Sequence, residues 1–377
     1  MKFFYIIASI VTVALAASPF MLLRQQGDNP YGDQIVNFNS YYSAVRSIDP
    51  ATCGDTMSAK MQGNFYEGLY TYHFLKRPAH SAVIPQLASK MPVVSEDGLT
   101  YTIELRDDVL FHRNPCFGVE TDENGKTLLD EDGKPIYKTR LVDARDFVLA
   151  FKRVADYHLN TGLAWAFAER ISGLKAYRKK SKSMKIGDFS RYNLPVAGVQ
   201  AIGPDEHKLT LQIKLDEPYP QFLYVLTMNV YAPVPHEQID YWLAKEEGRD
   251  GKRRNIQLIK RTTEFREAEQ IVGTGPYTLE IFKRKVKIVM ERNPDYRKEL
   301  YPSEGSKQDE DNGLLADKGQ QVPFIDVLHY DFVPELSSDW MLFLFKQHDA
   351  APIPTDMFKS IVTPDKELEG EWHDKGI

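Results

Sequence analysis

Three stretches of the chain alternate between apolar and polar residues, and each lies beside a tight-turn signal. In the first, an Asp-Gly turn at 97–98 precedes Tyr101 and Ile103, whose neighbours are polar. The second stretch follows the turn signal at 203–205, and the third folds back around 283–285. A period of two indicates strands with one buried face, and Asp-Gly is a strong hairpin signal. The sequence therefore predicts antiparallel hairpins as its main sheet elements.

Helical patterns lie between these hairpins. The spacing of Met57 and Met61 predicts a helix that ends at Gly68, because glycine commonly terminates helices. Asp143 is expected to cap a second helix, with Asp146 in its first turn, where the helix dipole favours acidic side chains. Hairpins that alternate with helices predict a mixed α/β or α+β fold.

The N-terminus is a long apolar segment. Lys2 is followed by apolar residues from Phe3 to Leu23, and Ala14-Leu15-Ala16 forms a small-x-small cleavage motif. Residues 1–23 are therefore interpreted either as a cleaved secretory signal peptide or as an uncleaved membrane anchor. Both alternatives place the rest of the chain outside the cytoplasm, in the periplasm or an equivalent compartment.

The overall composition narrows the class of partner. A formal net charge of -6 and a pI of about 5.9 give no support for nucleic-acid binding. The chain has 20 Tyr, 20 Phe and 4 Trp, numbers that suit a protein that contacts its ligands with aromatic rings.

Cys53 and Cys116 are the only two cysteines. In an oxidising compartment they are a pairable number, so a Cys53–Cys116 disulfide is one expectation. The other is two buried free thiols, because sequence spacing cannot place the two Cα atoms within bridging distance.

The residues give little indication of catalysis. The nine histidines are scattered, so no metal site is predicted, and no cofactor motif is complete. His112 and Cys116 lie four residues apart and could suggest a thiol enzyme, but the segment reads as a loop after a strand. An exported, aromatic-rich chain without catalytic motifs is more often a binding protein than an enzyme.

Six segments in fixed order resemble the family 5 solute-binding proteins of ABC transporters, the oligopeptide- and dipeptide-binding type. The resemblance as a whole covers roughly residues 37 to 357. The segments are "NFYEGLYTY", "VIPQLASKMPVVSEDGLTYTIELRDDVLFH", "VDARDFVLAFKRVAD", "GVQAIGPDEHKLTLQIKLDEPYPQFLYVLTMNVYAPVPHE", "IVGTGPYTLEIFKRKVKIVMERNPDYR" and "FIDVLHYDFVPE".

This resemblance implies a fold and a domain plan. The implied fold is α/β, a periplasmic-binding-protein-like class II two-lobe fold with an extra inserted domain. Residues 32–67 and 195–292 are expected to form lobe I, residues 68–194 the inserted domain, and residues 293–377 the start of lobe II. Family members usually extend further, so lobe II is expected to be incomplete here and to be completed by more chain or by a second polypeptide.

The implied function is the extracytoplasmic solute-binding component of an ABC importer. Such a protein traps a peptide or similar solute between two lobes by hinge closure and delivers it to a membrane permease, without covalent chemistry or a cofactor. Two alternatives remain: an exported hydrolase on the same scaffold, and a membrane-anchored sensor or chaperone that has lost transport.

The resemblance also suggests site residues. The loop after "SIDPAT" is similar to a cleft-facing loop of the family, which makes three residues candidate ligand contacts, although an ordinary turn is the alternative. Trp165 and Tyr231 are further candidates, with core packing as the alternative for Trp165, and Gly275 is a candidate hinge residue. The three loop residues are Gly54, Asp55 and Thr56.

Overall fold

A computed structural model describes most of the chain beyond the N-terminal segment. The described residues are 31–76, 83–159, 161–204, 210–244, 263–365, 367–370 and 372. They form two compact units. Unit 1 contains the described residues up to Ala44, Lys283–Met290, and those from Phe324 onward, and unit 2 contains Val45–Phe282 and Glu291–Pro323.

Unit 2 contains a four-stranded antiparallel sheet built from two of the predicted hairpins. Its spatial order is β4-β5-β7-β6. Gly98, in the turn before β5, has φ +70°, a conformation that glycine adopts without strain. The hairpin prediction is therefore confirmed here. The strands are β4 (Val93–Val94), β5 (Thr100–Ile103), β6 (Val199–Ile202) and β7 (Thr210–Lys214).

The longest helix of unit 2 begins as the sequence predicts. Asp143 caps it, and Asp143 and Asp146 form a reciprocal capping box with the backbone. The helix expected to end at Gly68 instead ends at Gln62, with Gly63 as its cap. The helices of this unit are α1 (Thr56–Gln62), α2 (Ala144–Ala155), α3 (Leu163–Ala168), α4 (Leu174–Lys182), α5 (Phe222–Val225), α6 (His236–Gln238) and α7 (Lys307–Asp311).

Short elements complete unit 2. Two antiparallel pairs join β2 (Tyr70–Tyr72) to β3 (Val83–Pro85) and β10 (Glu299–Leu300) to β11 (Gln321–Val322). A π-helical turn spans Ile239–Ala244. The 3-10 turns are Pro50–Thr52, Pro115–Phe117, Phe189–Asn193, Asn229–Tyr231 and Ala268–Gln270.

Unit 2 combines segments of the expected inserted domain and of expected lobe I, and the domain bounds themselves stay a prediction. Strand β5, from the expected inserted domain 68–194, pairs with β7, from the expected lobe I segment 195–292. One hydrophobic core joins both segments, from Leu69 to Val272. Because a shared sheet and core hold them together, these segments form one compact unit, and residues 291–323 belong to it as well.

Unit 1 combines the two ends of the described chain. Strand β1 (Val36–Tyr41) pairs in parallel with β12 (Val327–Phe332), which lies next to β9 (Lys287–Arg292). The third predicted hairpin, β8 (Tyr277–Lys283) with β9, is confirmed and carries the chain from unit 2 into unit 1.

Helices with defined bounds follow β12 in the described part of unit 1. They are α8 (Leu336–Leu344) and α9 (Phe358–Ile361). Trp340 of α8, Ile361 of α9 and Trp372 form a small buried cluster. Burial of these large apolar side chains stabilises the C-terminal part of the unit.

The expected signal peptide or anchor, residues 1–23, lies outside the described residues. Within the described ranges, no helix combines the length and apolar character needed to cross a membrane.

Candidate functional site

The candidate loop at 53–56 joins two capped helical turns. Asp55 caps α1: its carboxylate accepts hydrogen bonds from the Ser58 backbone N–H at 2.8 Å and from Ser58 Oγ at 2.7 Å. Gly54 and Thr56 are exposed on either side of it. The structure therefore gives Asp55 a capping role and leaves the Gly54 backbone and the Thr56 hydroxyl as the accessible polar groups of the loop.

Tyr231 lies in the hydrophobic core, not at the surface of its unit. Its side chain is 1% exposed and stacks on Phe151 with 4.6 Å between ring centroids. Little of the ring is accessible within this unit, and the expected ligand contact of Tyr231 stays a prediction. The 3-10 turn Asn229–Tyr231 packs against α2, and burial of the ring there contributes to stability.

Trp165 occupies an intermediate position. It is partly buried against the edge of the core, and the Arg178 guanidinium lies 4.7 Å from its ring centroid. This is cation–π geometry, which fixes the indole while leaving part of it accessible. Trp165 thus stays a candidate contact, with a structural role beside it.

Helix α2 is the element around which these candidates are arranged. The turns at Pro50–Thr52 and Asn229–Tyr231 contact α2 and each other, and α3, which carries Trp165, also contacts α2. The fold therefore brings the elements of the candidate residues to one helix, although the side chains occupy different environments.

Gly275 lies in a close-packed junction of unit 2. A Cβ atom there would lie 2.7 Å from the Asn64 carbonyl oxygen and 2.8 Å from the Phe65 backbone. The Gly275 carbonyl accepts hydrogen bonds from His112 Nε2 at 3.0 Å and Asn293 Nδ2 at 3.2 Å. Glycine is therefore required here for close backbone approach, and its assignment to a hinge stays a prediction.

His112 belongs to the same junction. Burial lowers its pKa to about 4, so the imidazole is neutral near pH 7. With Nε2–H donating to the Gly275 carbonyl, Nδ1 is placed to accept from the Gly273 N–H at 3.3 Å. Both ring nitrogens are engaged with backbone, which gives His112 a structural role.

The two cysteines are free thiols in the structure, so the expected disulfide is not formed in it. Both side chains pack against the core of unit 2. Burial, followed by the charge of Asp55, raises the pKa of Cys53 to about 11. Burial, followed by the charge of Glu237, raises the pKa of Cys116 to about 12. Since the thiolate is the reactive form, both are poor nucleophiles at neutral pH.

A buried ion pair close to this junction was not predicted from the sequence. Arg297 donates two hydrogen bonds to the Glu67 carboxylate, at 2.7 and 2.8 Å, and both side chains are at most 3% exposed. The hydroxyls of Thr274 and Tyr296 donate to the same carboxylate at 3.0 and 3.1 Å. No local pattern signals such a pair, because its members lie 230 residues apart.

Unit 1 also contains a charged cluster, centred on the buried side chains of His348 and Asp339. His348 Nδ1 lies 2.8 Å from Asp339 Oδ1, and its Nε2 lies 3.9 Å from Asp331 Oδ2. His329 Nε2 contacts Asp331 at 3.2 Å. Burial alone lowers the pKa of His348, but its hydrogen bonds to Asp331 and Asp339 and their charges outweigh burial and raise it to about 9.

This cluster predicts a pH dependence of stability. The pKa of folded His348 lies above the ordinary value of 6.5, so its contribution is fully present below about pH 6.5 and is lost as pH rises through about 9. We expect the free energy of unfolding, measured from thermal unfolding curves, to fall by on the order of 3 kcal/mol across that range. The loss should be absent in His348→Gln, and an equal loss in that variant would contradict the assignment.

The amino-acid sequence is similar to that of known binding proteins over most of its length. The family model for bacterial extracellular solute-binding proteins, family 5, middle region, matches residues 82–371. The oligopeptide-binding protein AliA of Streptococcus pneumoniae is 26% identical over 282 residues, which cover 75% of this chain and 34% of that protein. The periplasmic oligopeptide-binding protein OppA of Salmonella typhimurium is 25% identical over 295 residues, covering 77% and 42%.

Solved structures show the same fold. The pheromone receptor PrgZ superposes with a TM-score of 0.57 at 24% identity, covering 89% of this chain and 50% of its own. Listeria monocytogenes OppA bound to peptide gives a TM-score of 0.57 at 15% identity, covering 87% and 48%. These likenesses confirm the predicted α/β fold class of the periplasmic-binding type.

The similarity covers only part of the length of the related proteins. The chain spans between a third and a half of the length of the two curated relatives. Within this chain, however, the family model covers well over half of the residues. The chain therefore belongs to the bacterial extracellular solute-binding proteins of family 5.

Proposed function

We propose that this protein is the extracytoplasmic binding component of an ABC importer for peptides or similar solutes. The observation that carries the proposal is the family match over residues 82–371. Relatives with sequence similarity over most of this chain are named as oligopeptide-binding proteins, which makes peptides the favoured ligand class. The partner would be a membrane-embedded permease.

Binding would operate by closure of two lobes. A ligand that contacts both lobes in the closed state stabilises that state and shifts the population towards it. Extended peptides are held largely through their backbones, often with bridging water at the side chains. The Gly54 backbone, the Thr56 hydroxyl and Trp165 are the proposed contacts, and Gly275 is the proposed hinge residue.

Membership of this family counts against the alternative that the protein is a hydrolase. Family 5 proteins and the curated relatives are described as binding proteins. The pair suggested for thiol chemistry, His112 and Cys116, also fits catalysis poorly. His112 is buried and bound to backbone, and the pKa of Cys116 is raised to about 12. The localisation would be extracytoplasmic, with residues 1–23 as signal peptide or anchor.

Recovery of ligand from the purified protein tests this proposal. We expect peptides to be extracted after denaturation and to be intact when re-incubated with fresh protein, as mass spectrometry would show. Cleavage of the peptides, lost in Cys116→Ala or His112→Gln, would instead support the hydrolase. If no peptide were recovered from the protein and no added peptide bound to it, the peptide-binding function would be contradicted.

A further inference from the structure

Helix α4 and its flanks form a strongly basic segment of an acidic protein. Residues 170–187 contain seven Lys and Arg and no acidic residue. The whole chain has 47 basic residues, so 40 remain elsewhere against all 53 acidic ones. The segment thus carries a local charge of opposite sign to the rest of the molecule.

Three of the exposed lysines of α4 lie on one face. Leu174 and Tyr177 are buried on the inner side of the helix. Lys175, Lys179 and Lys182 are exposed, at spacings of four and three residues. Residues at these spacings lie above one another on a helix and here span about 10 Å. The three ammonium groups therefore project from one ridge, which we call the lysine face.

Acidic neighbours leave this charge largely uncompensated. Among the exposed lysines of residues 170–187, the described structure gives only Lys175 a carboxylate within 4 Å, that of Glu169 at 3.9 Å. An exposed ion pair at that distance contributes little. The exposed lysines of the segment are Lys175, Lys179, Lys180, Lys182 and Lys185.

Aromatic rings border the lysine face. Tyr157 is 43% exposed, and its ring centroid lies 4.9 Å from the Lys182 ammonium and 5.5 Å from the Arg178 guanidinium. Arg178 is itself fixed by a 3.0 Å hydrogen bond to the Asp156 carbonyl and by the ring of Trp165. Tyr and Trp beside a row of cations are typical of surfaces that meet a lipid–water interface.

We propose that the lysine face docks on anionic phospholipid headgroups. Basic clusters on a helix bind anionic bilayers through attraction to the headgroups, and each Lys near the surface adds to the affinity. A short straight ridge suits a planar surface of negative charge, whereas single-stranded nucleic acid requires a groove with stacking platforms. The choice of a membrane over another acidic partner rests on the proposed function, which brings the protein to a permease in a bilayer. The lysine face itself is defined by the structure and does not depend on that function.

Vesicle co-sedimentation of the full chain tests this proposal. Phosphatidylglycerol-containing vesicles are compared with pure phosphatidylcholine vesicles, so that any contribution of residues 1–23 common to both is removed. We expect binding to the anionic vesicles to be at least about tenfold stronger, and to weaken between about 0.1 M and about 1 M salt as the Debye length falls.

Two variants with equal charge change locate the effect. The first replaces four lysines of the segment by Gln, which preserves helix propensity, and the second replaces four exposed lysines elsewhere. Only the first is expected to lose the tenfold preference. The four lysines of the segment are Lys175, Lys179, Lys180 and Lys182, and the control lysines are Lys60, Lys126, Lys138 and Lys318.

Three outcomes would overturn the proposal. They are equal binding to both vesicle types, an equal loss in both variants, and salt-sensitive self-association without vesicle binding, which would identify a second copy as the acidic partner. Peptide binding measured without vesicles separates this result from the proposed function. If the first variant keeps its peptide affinity, a negative result with vesicles contradicts only the membrane docking of the lysine face and leaves the proposed function standing.

Discussion

Gly273→Ala is expected to destabilise unit 2 by about 4 kcal/mol or more. A Cβ atom at this position would lie 1.7 Å from the Phe65 carbonyl oxygen and 2.8 Å from the Phe65 carbonyl carbon. Both atoms belong to the backbone, so no side-chain rotation relieves the overlap, and the junction that includes His112 must separate. The measurement is the free energy of unfolding from urea denaturation.

Gly54→Ala is the matched control for this substitution. A Cβ atom at Gly54 would meet only the Thr52 carbonyl oxygen, at the ordinary contact distance of 3.9 Å. Its free energy of unfolding should stay within about 0.5 kcal/mol of that of the parent. Equal stability of the Gly273 and Gly54 variants would show that the close approach at Phe65 is not as described.

Arg297→Leu is the second substitution with a large expected effect. It removes both hydrogen bonds to Glu67 and leaves a carboxylate that is 2% exposed without its cation. Breaking a buried pair by removing one partner typically costs about 3–5 kcal/mol. Urea denaturation should therefore show a similarly reduced free energy of unfolding.

An exposed ion pair in the same unit provides the comparison. Lys76 and Glu304 approach to 3.0 Å, but their side chains are 49% and 73% exposed. Lys76→Ala should therefore change the free energy of unfolding by at most about 1 kcal/mol. If Arg297→Leu were as mild as Lys76→Ala, the buried pair would not be a main determinant of the stability of unit 2.

The elements predicted correctly from the sequence are those fixed by neighbouring residues. The Asp-Gly turn at 97–98 and the alternation after it determine the β4–β5 hairpin. Asp143 and Asp146 determine the start of α2, because both bond to backbone within one turn. Such features depend on a few consecutive residues and need no knowledge of the remaining fold.

The features that the sequence could not specify depend on distant contacts. Resemblance made Tyr231 a candidate ligand contact, but its burial against Phe151 is visible only in the structure. The pairing of Glu67 with Arg297 joins residues 230 positions apart, and no spacing rule predicts it. The β5–β7 pairing, which determines that residues 100–103 and 210–214 share a unit, is likewise a contact between distant segments.

The candidate ligand contacts were predicted less completely than the fold. Resemblance selected the loop at 53–56, but only the structure distinguishes Asp55, which caps α1, from the exposed Gly54 and Thr56. The charge asymmetry of α4 is visible in the sequence. Its arrangement on one exposed face becomes clear only once Leu174 and Tyr177 are known to be buried.

Titration calorimetry with a mixture of short peptides tests the central claim most directly. If the protein is a peptide-binding component of an importer, binding should release or absorb heat. The fitted dissociation constant should be about 1 μM or lower, which corresponds to a binding free energy of about 8 kcal/mol or more. Absence of heat over several temperatures, with no peptide recovered from the protein, would contradict the account.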